Sequence, residues 1–281
     1  HPASAKSAER GEGGSMSASS IATPTGLASG LGGQGLREVI AIIAVAVTVI
    51  GGGEFLLRFF EVPQYVLPTP SAIGSVFASA EMPTILQHYG YTLVELFAGY
   101  AIGASVGLVL AAVITQFPFV EKVITPYILL LVATPMLALV PLLILNFGFG
   151  YTPRIIAVAL ASGPMVMINA ATGFRRVDTM KISLARSYGA STLQIFTKIR
   201  IPMAMPMVIV GLMIGAIFGM ITAVGAEMSG GGFGLGSRLT TYSSTLRMPE
   251  FFACILILAV TGITIYAFFF WVGKKLAGWE S

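Results

Sequence analysis

An all-α, polytopic membrane bundle is the fold class this sequence predicts. Three observations predict it. Of 281 residues, 56% are hydrophobic and only 10% are charged, whereas a soluble domain carries about 25% charged residues. Mean hydropathy is +0.87. Apolar runs of about 20 residues recur, the length at which a helix crosses the hydrocarbon core. The period-two alternation of a membrane barrel is absent. A single cysteine, Cys254, lies inside an apolar run. It excludes a disulfide framework within one chain and reads as a small core residue.

The pattern divides into a tail over 1–35 and a transmembrane domain over 36–281. The tail is rich in Gly, Ser and Ala and has no apolar period. It reads as flexible. Met16 is the expected native start, with residues 1–15 a vector-derived remnant.

About six spans follow, at 36–57, 91–114, 123–147, 154–174, 203–228 and 251–276. A proline-rich linker, EVPQYVLPTPSAI, and a more polar stretch to His88 separate the first two. Pro135 and Pro141 fall inside the third, where proline kinks or breaks a helix. Broken helices at membrane depth are tolerated where they line a cavity. Pro135, Met136 and Pro141 are therefore expected to border a translocation path. Asn146 and Asn169, polar groups among apolar neighbours, are candidates for the same path or for hydrogen bonds between helices. The loop SGGGFGLGSRL precedes the last span.

Acids in hydrocarbon are costly, so they face a cavity or a partner. Glu227 ends the fifth span beside the Gly-rich loop. It is expected to bind loop backbone or line a gate. Glu95 and Glu54 lie near span ends and read as interfacial carboxylates. The two histidines, His1 and His88, are far apart in sequence, and no metal cluster or catalytic triad is visible.

The stretch Ser183 to Pro206, SLARSYGASTLQIFTKIRIPMAMP, is a basic amphipathic island between apolar runs. Leu184, Ala185, Tyr188, Leu193, Ile195, Phe196 and Ile199 are apolar, and Arg186, Lys198 and Arg200 are cationic. Gly189 interrupts the run, and Pro202 and Pro206 close it. Two short helices meeting at a glycine turn are expected, offering an apolar knob to a soluble partner. The competing reading is an interfacial helix that only anchors the chain to lipid. With both termini inside, twelve of the basic residues share the island's side, and only Arg58, Arg154, Arg238 and Arg247 lie opposite. That bias is the positive-inside pattern and places the island in the cytosol.

The island resembles the coupling motif of ABC importer permeases: Glu-Ala-Ala, three residues, Gly, nine residues, Ile-x-Leu-Pro. With Gly189 as the family glycine, Ala185 falls on the second alanine. Ile199, Ile201 and Pro202 fall on the closing element. Ser183 stands where the family has glutamate, and Leu184 on the first alanine. The runs ATPMLALVPLLILNFGFG, NAATGFRRVD, VLPTPSAI and AVGAEM are similar to permeases of the nitrate, sulfonate and taurine type.

The resemblance implies the membrane subunit of an ATP-driven importer of a small anionic or organic-acid solute. It implies a multi-pass protein of the inner membrane, working as a dimer with a second copy. Two ATPase subunits and an extracytoplasmic binding protein would complete the system. Coupling residues on this reading are Ser183, Leu184, Ala185, Arg186, Tyr188, Gly189, Ala190, Phe196 and Pro202. The chain carries no Gly-rich phosphate loop ending in Gly-Lys-Ser/Thr. ATP and Mg are therefore expected on the partner ATPase, and no cofactor on this chain. Nothing in the pattern points to nucleic acid. The alternatives are a self-sufficient secondary transporter or channel, which would show inverted repeats or an ionisable relay, and an intramembrane enzyme, for which no nucleophile and base pair stands out.

Overall fold

The computed structural model describes residues 34–276, and no strand occurs among them. The tail expected over 1–35 lies outside them, save for Gln34 and Gly35. The chain divides into two compact units, 1–52 and 53–281. The described part of the first is the N-terminal portion of α1 (Gln34–Phe59), whose side chains such as Val39, Ile43 and Val47 are exposed.

In the second unit, α1 ends with Glu54 held by Arg58 at 2.6 Å. α2 (Pro70–Val76) is capped by Thr69. The stretch read as polar linker is thus partly helical, and α3 (Met82–Gln116) begins well before the expected second span. His88 lies inside this helix and is buried.

α4 (Pro118–Ala133) and α5 (Met136–Phe147) replace the single third span, and the pair bends by 96°. The cause is local. Proline pushes its preceding residue out of the helical region, and Thr134 is extended at ψ 124°. Pro141 and Pro126 are carried inside their helices without a break.

α6 (Tyr151–Arg175) is the buried centre of the unit. α7 (Thr179–Ser187) and α8 (Thr192–Ile195) follow, then a π-helical turn, Phe196–Arg200, and α9 (Ile201–Gly230). α10 (Leu235–Ser244) and α11 (Met248–Leu276) complete the order. The six expected spans appear as five long apolar helices and one bent pair.

Two stripes of glycine clamp α6. Gly99, Gly103 and Gly107 of α3 lie four residues apart, as do Gly211, Gly215 and Gly219 of α9. A Cβ on Gly99 would stand 2.7 Å from the Ile155 carbonyl oxygen, and one on Gly215 would stand 2.7 Å from Val166 Cγ2. Lipid supplies no hydrophobic drive between helices, so small residues that let backbones approach supply the packing instead. The resulting core has one cluster around Ile114, Ala170 and Phe174 and another around Ile85, Leu235 and Tyr242. They lie at opposite ends of the α6–α9 pair.

Candidate functional site

At one end of α6 the chain leaves the bundle through an elbow. Asp178 caps α7, accepting from the Met180 N–H at 2.8 Å. α7 ends in a Schellman turn: Gly189 N–H donates to the Arg186 carbonyl at 2.9 Å and Ala190 N–H to the Ala185 carbonyl at 3.0 Å. Gly189 has φ +79°, the left-handed conformation that favours glycine. Ser191 and Gln194 then form a capping box that restarts the helix.

The elbow has two sides. Tyr188 is 84% exposed, Leu193 71% and Leu184 59%. Ser183, Arg186 and Gly189 are also exposed, while Ala185 and Ala190 are half-buried. Phe196 faces the other way: its ring lies 5.2 Å from that of Phe174 and packs on the bundle. Ile195 beside it is buried.

Pro202 and Pro206 do not close the island, contrary to the sequence expectation. The helix runs without interruption from Thr192 to Gly230. A proline ring collides with the carbonyl four residues back. The π turn widens the ladder immediately before Pro202, with the Ile201 N–H reaching back to the Phe196 carbonyl. The second short helix is therefore the tip of the fifth span.

The bent pair α4–α5 borders an open cavity of ≈ 270 Å³. Pro135, Met136, Pro164, Met165, Phe218 and Thr222 line it, and no charged side chain does. The other path candidates lie elsewhere. Pro141 and Asn146 are exposed on α5, with the Asn146 amide donating to the Leu142 carbonyl at 2.8 Å. The Asn169 amide donates to the Met165 carbonyl on its own helix. Neither asparagine bonds to another helix here.

At the far end of α9 lies a polar cluster the sequence reading underestimated. Glu95 and Arg154 are 0% and 2% exposed and pair at 2.9 Å. The sequence reads Glu95 as interfacial and Arg154 as an outer-face cation; the structure buries both where α3 and α6 cross. Arg154 also donates to the carbonyls of Phe233 and Gly231, and its guanidinium covers the Phe233 ring at 4.2 Å. The Gly-rich loop is thereby drawn into the bundle. Its N–H groups find acceptors in turn: Gly234 on His88 Nδ1 at 3.0 Å, Leu235 on Thr92 Oγ1 at 2.9 Å, Gly236 on Glu227 Oε2 at 2.7 Å. Glu227 thus binds loop backbone, one of its two expected roles, and is wholly buried. It does not line the cavity at the helix break. Arg238 meets His88 Nε2 at 2.7 Å. A buried Glu–Arg pair is invisible to a reading of one span at a time; the four-residue glycine spacings that bring α3 and α6 together were the available signal.

No cluster of His, Cys, Asp and Glu suited to a metal occurs among the described residues.

Residues 103–278 match the model of the binding-protein-dependent transport system inner membrane component family. The chain belongs to this family. It is 32% identical over 226 residues to the taurine transport system permease protein TauC of Escherichia coli, covering 79% of this chain and 80% of that one. To the riboflavin transport system permease protein RibX of Chloroflexus aurantiacus it is 26% identical over 220 residues, 78% of this chain and 82% of the other. Among solved structures, an amino acid ABC transporter described "with histidines" superposes with TM-score 0.60 at 21% identity, over 69% of this chain and 95% of that chain, which shows a shared fold. The chain is accordingly a multi-pass membrane permease subunit of an ABC importer. It is not itself an enzyme, and ATP hydrolysis belongs to a separate subunit.

Proposed function

We propose that this permease receives mechanical work at the elbow Thr179–Arg200 from a cytosolic ATPase and passes a small anionic organic solute, of the sulfonate or organic-acid class, through the bundle. One observation carries the coupling half of this reading. Leu193 of the exposed apolar knob stands on a tip that is continuous with a membrane-spanning helix, and Leu184 and Tyr188 are joined to that tip by the short Gly189 turn. A push on that tip moves the whole of α9 as a rigid body. ATP and Mg sit on the partner, two ATPase subunits serve two copies of the permease, and the elbow faces the cytosol with both termini.

The solute assignment rests on a different kind of support. The relative TauC is named for taurine, a sulfonate, and RibX for riboflavin. The cavity at the helix break has no cationic lining to fix an anion. Selectivity is thus assigned to an extracytoplasmic binding protein, and the pathway binds weakly. Lipid covers the outer faces of the spans.

Co-purification tests the coupling. The wild-type chain is expected to bring down its ATPase, and Gly189→Trp to release it. Retained ATPase with failed transport would refute the docking role. A ligand screen on the cognate binding protein tests the solute; a preference for metal ions or sugars would overturn the assignment.

A further inference from the structure

The cluster at the Gly-rich end of α9 holds acceptors that nothing matches. Two buried side-chain oxygens there have no hydrogen-bond partner: Glu95 Oε2 and Glu227 Oε1. The two acids share one pocket: Arg154 bonds Glu95 and the Gly231 and Phe233 carbonyls of the loop whose Gly236 N–H bonds Glu227. Their other oxygens are engaged, Glu95 Oε1 with Arg154 and Glu227 Oε2 with the Gly236 N–H. Thr92 Oγ1, beside Glu227, accepts from the Leu235 N–H at 2.9 Å and lies 3.3 Å from the His88 carbonyl. As two carboxylates, the acids would leave two orphaned acceptors and one uncompensated negative charge in a site that excludes water.

We propose that Glu95 and Glu227 form a binding site for one proton, carried as Glu227 Oε1–H donating to Glu95 Oε2, and that this proton latches the loop Gly231–Gly236. A single proton resolves both defects together. It satisfies both orphaned oxygens, and it leaves Arg154 and Glu95 as a neutral pair. Glu95 remains the carboxylate because the guanidinium faces it. The placement also couples the proton to the loop. A Cβ on Gly234 would collide with the Glu227 carboxyl carbon, so the loop backbone lies directly on that group. The charged group on the pair is Arg154 of α6; His88 of α3 and Arg238 of α10 pair with each other beside it, on the Gly234 N–H of the same loop, and the Tyr91 and Tyr151 rings pack together nearby against Phe233. Losing the proton puts a second charge against Glu95 and pushes the loop off its seat.

Infrared spectroscopy and amide exchange on the full chain in lipid nanodiscs test the proposal. At neutral pH the wild type is expected to show a protonated-carboxyl carbonyl band that shifts with carbon-13 glutamate and vanishes in Glu227→Gln. Exchange of the Gly234–Gly236 amides, corrected for intrinsic rates, should stay unchanged in Glu227→Gln, whose amide can make the same donation. It should quicken about tenfold or more in Glu227→Ala. In the wild type the band and the slow exchange should disappear together as pH is raised, a measurement that stands even if a variant fails to fold. Absence of the band at neutral pH, or loosening in Glu227→Gln equal to that in Glu227→Ala, would overturn the assignment.

Discussion

The two ends of α9 are built on opposite principles. At the elbow, the helix leaves the bundle with Leu193 exposed, and the Gly189 turn joins it to α7, where Tyr188 and Leu184 are exposed. Buried Ile195 and the Phe196 ring tie it back to the core. At the other end, Glu227 is wholly buried, and four side chains from α3, α6 and α9 accept from or donate to one loop. On the proposed reading, one end is gripped from outside, and the other grips from within. The difference teaches that exposed and buried groups at the two ends of one span can serve separate needs, a surface at one end and the fold at the other. A rigid helix between them links the two.

Breaking the latch end should have the largest effect on stability. Arg154→Leu strands Glu95 in the core and releases two loop carbonyls. We expect a loss of about 3–5 kcal/mol, the usual result of removing one partner of a buried ion pair. Thermal unfolding in detergent measures it, and an unchanged melting curve would mean that water reaches the pair.

The helix crossing between the ends comes next. Gly107→Val would drive a side chain into the Gly163 carbonyl. Overpacking of this kind destabilises by about 1–3 kcal/mol. The same change at Gly90, which has open space around it, should be silent. Equal losses at the two sites would remove the glycine stripes from the account.

The elbow should respond the other way round. Gly189→Ala forces a side chain into the left-handed region, a strain of about 1–2 kcal/mol. That strain acts outside the core, so bundle melting should hardly move. Association with the ATPase should weaken about tenfold, the equivalent of about 1.4 kcal/mol.

The smallest stability effect is the sharpest test of the contrast. Tyr188→Ser with Leu193→Ser removes exposed side chains and should alter stability by no more than about 0.5 kcal/mol. ATPase co-purification should nevertheless be lost. A large drop in melting temperature with normal ATPase binding would reverse the roles assigned to the two ends.

Much of this was legible in the residues themselves. Apolar run length located the spans, and the basic island marked the elbow. Gly189 was recognisable as a turn because no other residue sits comfortably at φ +79°. The helix break at Pro135 followed from proline's effect on Thr134. The reading went wrong where two distant segments meet. Pro202 looked like a stop, yet the π turn before it lets the helix continue. Glu95 and Arg154, 59 residues apart, read as an interfacial carboxylate and an unrelated outer-face cation. Phe196 looked like part of the knob, yet its ring finds Phe174 on α6.

What the residues alone determined is therefore one-dimensional: which stretches enter hydrocarbon, where the chain turns, and which surface is basic. These follow from transfer free energy and backbone sterics, both local. Only the tertiary structure decided which charges are buried together and which apolar groups remain free. Those outcomes depend on helices packing at backbone contact, and a carboxylate's neighbours across that contact are not encoded in its own span.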